Sequence, residues 1–233
     1  MRKKIMILLV VVMCIGLSFA GCIQRKSETK KPDLPIPPNL PLLTPLEGSS
    51  LELKDSVEND IKLVVKYDTG KYNLETWKIT DSKSVRISAI VKGVPEDAEV
   101  LMEHVHIDMS LMSTHPQLDG LAQDSMDNSY HGTSQDGFFV TSEYPYECNF
   151  AVEGFSKDVI EGWGTICGDY GAMTISERRL TEDNIVKYGG VYANKLQIVY
   201  SLIIKYKGEE KYHKKDIIQE FAIRVLNTDS IER

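Results

Sequence analysis

Residues 195–206 read KLQIVYSLIIKY, and this stretch decides the fold class. Apolar side chains stand at every second position from Leu196 to Tyr206, with polar ones at several positions between them. A period of two places one face of a β-strand against a core and the other in solvent. Lys207-Gly208-Glu209 follows as a turn signal, and residues 220–225 (EFAIRV) alternate again. The stretch therefore predicts a hairpin of two half-buried strands.

The same period recurs through most of the chain after residue 50. Further alternating apolar runs cover residues 61–67, 85–91 and 101–111. Many half-buried strands with no long helical pattern between them favour packed antiparallel sheets. We expect an all-β fold, an antiparallel β-sandwich of the Ig-like type, with an open barrel as the alternative. The chain of 233 residues is 42% hydrophobic, which suits one such domain.

Two short helices are predicted among the strands. Ser156 is placed to cap a helix over residues 157–161, and Thr181 to cap one over residues 182–188. Gly189 follows the second helix, where a glycine in the left-handed conformation would end it.

The first 22 residues have the pattern of an export signal. Arg2, Lys3 and Lys4 precede an apolar run from Ile5 to Leu17, which is shorter than the ~20 residues that span a bilayer. The run ends in Ser18-Phe19-Ala20-Gly21-Cys22. This segment resembles the lipobox of prokaryotic lipoproteins, with Phe19 where that family usually has Leu. The resemblance implies that Cys22 is lipidated after export and holds the protein on the extracytoplasmic face of the cell membrane.

The resemblance, the proline content and the strand pattern together divide the chain. We expect residues 1–21 to be a signal peptide, residues 22–49 to be a tether beginning at the lipidated Cys22, and residues 50–233 to be one β-sandwich domain. The tether holds six of the nine prolines, which disfavour both helix and ladder. Removal of residues 1–21 leaves 24 of the 27 Lys and Arg against 34 Asp and Glu, a net charge of -10. That acidity argues against a nucleic-acid partner.

Two cysteines remain after the signal and the anchor are set aside. Cys148 and Cys167 form an even pair in a chain expected to face an oxidising compartment, which favours a disulfide between them. The alternative is two free buried thiols.

A metal site is predicted on one strand face. His104, His106 and Asp108 are two residues apart and share a face, opposite Val105 and Ile107. Two nitrogens and one oxygen suit Zn²⁺ or Cu²⁺, and the following segment offers His115 and His131 as further ligands. The His-x-His pair is similar to that of copper-zinc superoxide dismutases, although their later histidine ligands are not found in order. Calcium is a further option, through the acids Asp119, Asp124, Asp127 and Asp136. A solvated polar face remains the alternative to any metal.

Two irregular segments, 112–137 and 155–171, are rich in glycine, acids and turn-forming residues. Long loops of this kind often carry function, so we expect them to form a recognition surface. The candidate binding residues are the aromatics Tyr130, Phe138, Trp163 and Tyr170.

Catalytic motifs are missing from the sequence. It has no nucleophile elbow, no phosphate-binding loop, no dinucleotide fingerprint and no HExxH zinc motif. The sequence therefore predicts a membrane-anchored extracytoplasmic lipoprotein that acts as a non-catalytic binding module for an unidentified protein or small molecule. The alternative is a zinc- or copper-binding protein, or a metalloenzyme, built on the His-x-His-x-Asp strand.

Overall fold

A computed structural model of the chain describes residues 39–43, 49–70, 77–129, 137–152, 154–169 and 173–225. These residues form two sheets and two short helices, in an all-β, sandwich-like arrangement. The strands are β1 (Leu42–Leu43), β2 (Ser50–Glu58), β3 (Ile61–Asp68), β4 (Lys83–Lys92), β5 (Ala98–Ser113), β6 (Ala122–Ser129), β7 (Phe138–Phe139), β8 (Tyr146–Val152), β9 (Val191–Tyr206) and β10 (His213–Arg224). The helices are α1 (Lys157–Asp169) and α2 (Glu182–Lys187). The prediction of an all-β sandwich is confirmed, and its Ig-like form stays a prediction.

The larger sheet has the order β1-β10-β9-β5-β6, and β7 pairs with β5. Strands β9 and β10 form the hairpin predicted from residues 195–225, and β9 pairs antiparallel with β5 on its other side. Strand β1 runs parallel to β10, with Leu43 opposite Ile223. Leu43 is buried, so this part of the predicted tether belongs to the sheet. Burial of the Leu43 side chain in the core stabilises this short strand, although the prolines near it in the sequence disfavour strand pairing.

The smaller sheet has the order β2-β3-β4-β8. A tight turn joins β2 to β3, and Asn59 takes a φ of 49° there. Asparagine tolerates this left-handed conformation better than most residues. The core lies between the two sheets and is filled by the inward-facing residues of the alternating runs, such as Ile61, Ile87, Val105 and Ile198, each with no exposed surface.

A buried polar network joins the two sheets. The Tyr67 hydroxyl lies 2.8 Å from the Tyr200 hydroxyl and donates to Gln219 Oε1 at 2.5 Å. Gln219 Nε2 in turn donates to Asp55 Oδ2 at 2.6 Å. Burial raises the pKa of both tyrosines, so both hydroxyls stay protonated and able to donate. The network therefore satisfies polar groups from β2, β3, β9 and β10 inside an apolar core.

A second link between the sheets lies near the surface. His213 Nδ1 is 2.9 Å from Glu58 Oε1 on β2, and His213 Nε2 is 3.0 Å from Glu209 Oε2. Hydrogen bonds to Glu209 and then to Glu58 raise the pKa of His213. Lys215 and His213 lower the pKa of Glu58. The charged forms of both partners are thus favoured in the folded state.

The helices occupy the sequence segments that break the strand pattern. Ser156 Oγ accepts a hydrogen bond from Val159 N, as predicted for a cap, but α1 continues to Asp169. It continues because Val159, Trp163 and Ile166 lie on one helical face and are buried, which outweighs the glycines between them. None of the helices among the described residues is long and apolar enough to cross a bilayer.

Helix α2 begins at its predicted cap. Thr181 Oγ1 accepts from Asn184 N. The positive φ after this helix belongs to Gly190, at 62°, so the prediction of Gly189 as the left-handed residue is wrong. The carbonyl of Gly189 instead accepts a hydrogen bond from the buried Ser113 hydroxyl.

The predicted disulfide is absent, because Cys148 and Cys167 are both free thiols. Cys148 lies on β8, opposite Ile87 of β4. Cys167 lies on α1, where its sulfur is 3.8 Å from Met173 Sδ and 3.7 Å from the Arg178 carbonyl oxygen. Burial raises the pKa of both thiols, which keeps them in the less reactive protonated form.

Candidate functional site

The predicted metal-binding histidines lie on the outer face of β5. His104, His106 and Asp108 share this face, while Val105 and Ile107 point into the core, as the alternation predicts. A bulge between Met102 and His104, where β5 pairs with β9, shifts the alternation by one residue. The bulge explains why the inward positions are even-numbered before it and odd-numbered after it.

Strand β6 adds a residue that the strand pattern alone did not place with the histidines. Asp127 lies directly opposite His106 in the register of β5 and β6. Its Oδ1 atom is 2.7 Å from His106 Nδ1 and 3.1 Å from His104 Nε2. One donor atom from each of these three residues lies within 4.8 Å of those of the other two. We call these three residues the outer-face triad.

Asp108 contacts the other side of the same imidazole. Its Oδ2 atom is 2.8 Å from His106 Nε2, so each ring nitrogen of His106 faces a carboxylate. The hydrogen bond to Asp127, and then that to Asp108, raises the pKa of His106. His106 correspondingly lowers the pKa of Asp127. The His104 and His106 rings lie nearly parallel, 13° apart, with centroids separated by 6.4 Å.

The other predicted metal ligands do not join the outer-face triad within the described residues. His115 lies in the turn after β5, where its Nδ1 accepts from Gln117 N at 3.4 Å. His131 and Asp136 lie outside the described residues. Among the described residues, Asp119 and Asp124 belong to no candidate metal cluster; Asp119 accepts from the Ser113 backbone and Asp124 from the Ser125 backbone.

Among their described residues, both predicted recognition loops contain regular structure. Segment 112–137 contains β6, and segment 155–171 contains α1. Trp163 is buried and donates its indole N–H to the Arg178 carbonyl, which removes it from a recognition surface. Phe138 is half-buried and packs edge-on against Tyr146, with ring centroids 5.7 Å apart. Tyr130 and Tyr170 lie outside the described residues.

A cleft of about 660 Å³ adjoins the outer-face triad. Most of its charged and amide side chains come from three strands, with Asp108 on β5, Lys195 and Gln197 on β9, and Glu220 on β10, while Asp119 comes from the turn after β5. Glu220 Oε1 lies 2.6 Å from Gln197 Nε2 and 3.2 Å from Lys195 Nζ. Asn39 and Leu40, and the turn after β5, complete the walls. Asp108 is therefore shared between the cleft and His106.

The comparisons with known proteins identify no family. No family model and no curated protein matches the chain. Among solved structures, the chain is similar to one titled "X-ray structure of Northeast Structural Genomics Consortium target SoR45". The identity is 9%, the match covers 72% of this chain and 88% of that chain, and the TM-score is 0.34. A similarity this weak does not indicate a function.

Proposed function

We propose that this protein is a lipid-anchored extracytoplasmic lipoprotein whose β-sandwich binds a polar small molecule in the cleft on the outer face of the larger sheet. The observation that carries the proposal is the cleft itself. Its volume of about 660 Å³ is within the range of small-molecule sites, roughly 300–1,000 Å³. Strands β5, β9 and β10 form its floor, so the side chains that they contribute are held in place by the sheet ladder.

The lining indicates the chemistry of the ligand. Lys195 supplies a cationic donor, Gln197 both a donor and an acceptor, and Asp108, Asp119 and Glu220 supply anionic acceptors. A ligand with hydroxyl, amine or carboxylate groups can satisfy such a mixed set, whereas an apolar ligand would leave these groups desolvated and unpaired.

The anchoring part of the proposal rests on residues 1–22. An apolar run bounded by three basic residues and by Ala20-Gly21-Cys22 supports lipidation of Cys22. The net charge of -10 after removal of residues 1–21 supports a partner other than nucleic acid.

Detergent partitioning tests the anchor. The full chain, expressed in a prokaryotic host that processes lipoproteins, is expected in the detergent phase on Triton X-114 separation. The Cys22→Ala variant is expected in the aqueous phase, because it lacks the sulfur that carries the lipid. Equal partitioning of the two proteins into the aqueous phase would overturn the anchoring proposal.

Ligand-observed NMR with a panel of monosaccharides, amino acids and dicarboxylates tests the cleft. Ser110→Phe fills the cleft from β5 and is expected to abolish the saturation-transfer signals. Ser88→Phe is the matched control, because Ser88 lies on the outward side of β4 in the other sheet. Signals that survive in Ser110→Phe contradict the proposed binding site. The absence of signals for every compound in the panel contradicts it as well.

A further inference from the structure

We propose that the outer-face triad of His104, His106 and Asp127 binds one divalent transition-metal ion, Zn²⁺ or Cu²⁺, and that Asp108 positions His106 for this purpose. The inference depends neither on the lipid anchor nor on the ligand of the cleft. It rests on the spacing of the donor atoms, on the contact behind His106 and on the rigidity of the strands that carry them.

The donor atoms are spaced as a metal requires. Ligands at about 2.0–2.2 Å from a tetrahedral zinc ion stand about 3.3–3.6 Å from one another. Asp127 Oδ1 is 2.7 Å from His106 Nδ1 and 3.1 Å from His104 Nε2. Both contacts to Asp127 Oδ1 are shorter than this ligand spacing, so side-chain shifts of less than about 1 Å would open the cluster around an ion.

The contact between Asp108 and His106 distinguishes this arrangement from an ordinary surface cluster of opposite charges. Histidine ligands of metals donate their second ring N–H to a carboxylate or carbonyl, which sets the tautomer and the ring orientation. His106 Nδ1 faces Asp127, and His106 Nε2 lies 2.8 Å from Asp108 Oδ2. The geometry thus gives Asp108 the positioning role, whereas the sequence pattern predicted it as a ligand.

The scaffold holds the ligands in place. Strand β5 is paired on both sides, with β6 and β9, and His106 is directly opposite Asp127. The alternate side chains Val105 and Ile107 have no exposed surface, so the strand cannot rotate without breaking the core. Ligands on adjacent, paired strands lose little freedom when a metal binds.

The donor set selects the class of metal. Two imidazoles and one carboxylate suit zinc and copper, whereas Ca²⁺ and Mg²⁺ prefer six or more oxygen ligands. The side chains of His104, His106 and Asp127 are 31%, 34% and 66% exposed. The remaining coordination position therefore faces solvent, where a water molecule or a ligand donor completes the shell.

Equilibrium dialysis against zinc chloride, followed by elemental analysis, tests the site in the detergent-solubilised full chain. We expect about one zinc ion per chain, with calcium and magnesium not competing. His104→Ala, His106→Ala and the isosteric Asp127→Asn are each expected to weaken zinc binding at least about 10-fold. Asp108→Asn is expected to weaken it about 10- to 100-fold, as is typical of groups that orient a ligand. His115→Ala is the matched control and should bind zinc as the wild type does.

Electron paramagnetic resonance of the Cu²⁺-loaded chain gives a readout that a folding defect cannot imitate. We expect coupling to two imidazole nitrogens in the wild type and to one in His104→Ala. Zinc retained by both histidine variants, zinc lost on His115→Ala, or binding displaced by calcium would overturn the metal site. The detergent partitioning of the chain is expected to be the same in all these variants, so failure here is distinguishable from failure of the anchoring proposal.

Discussion

Removing one buried hydroxyl should destabilise the whole domain. The change is Tyr67→Phe, which deletes the oxygen that links β3 of the smaller sheet to Tyr200 and Gln219 of the larger sheet. All three side chains are at most 3% exposed, so water cannot replace the lost partner at little cost. The aromatic ring stays, together with its contact to Phe221 at a centroid distance of 4.5 Å. The substitution therefore isolates the hydrogen bonds from the packing.

The size of the effect follows from the two partners. A buried polar group left unpaired costs about 1–3 kcal/mol, and Tyr67→Phe leaves the Tyr200 hydroxyl and Gln219 Oε1 each short of one hydrogen bond. We expect a loss of about 3 kcal/mol in the free energy of unfolding. For a domain of this size the loss corresponds to a fall of about 6–12 °C in Tm.

Urea unfolding followed by circular dichroism measures this loss, and the slope of the transition should stay unchanged. Tyr212→Phe is the matched control, because Tyr212 is 53% exposed and its substitution should change stability by less than about 0.5 kcal/mol. In the double variant with Tyr200→Phe, the two losses should not add, since both substitutions break the same hydrogen bond. A Tyr67→Phe protein as stable as the Tyr212→Phe control would refute the reasoning.

Three further predictions concern charge, backbone and capping. The raised pKa of His213 means that its stabilising contribution is complete below 6.5, its ordinary pKa, and is lost as the pH rises through the higher folded-state value. Urea midpoints at about pH 5.5 and about pH 8.5 should therefore differ less in His213→Gln than in the wild type. Gly93→Ala should destabilise the domain by about 1–3 kcal/mol more than Gly70→Ala, because both glycines have positive φ but only at Gly93 would a Cβ overlap the Asp60 carbonyl. Equal thermal shifts in the two variants would contradict this. Thr181→Ala should cost about 1 kcal/mol through loss of the α2 cap, and thermal unfolding measures it.

The local sequence pattern was sufficient to predict which face of each long strand is buried. The alternation around Leu196 and around Val105 predicted which side chains are buried, because a pleated strand repeats every two residues whatever its neighbours are. The same logic placed His104 and His106 together on an outer face. The caps at Ser156 and Thr181 were also predictable, because capping depends on residues within one helical turn.

The sequence pattern gave wrong predictions where the structure depends on residues that are distant along the chain. Residues 122–129 (AQDSMDNS) are almost entirely polar and predict a loop, yet they form β6 because the edge of β5 offers backbone partners. The pairing of Cys148 with Cys167 was wrong because an even count of cysteines says nothing about where each one lies. Trp163 was a candidate binding residue because its glycine-rich surroundings suggested a loop, whereas it lies on the buried face of a helix.

The sequence by itself determined the all-β class, the faces of the long strands and the identity of two histidines on one of them. Only the tertiary structure decided that Asp127 completes the outer-face triad and that Asp108 supports His106 from behind. The physical reason is that alternation is a property of one strand, whereas register is a property of two. Asp127 is 21 residues from His106 along the chain, and the pairing of β5 with β6 sets their distance of 2.7 Å.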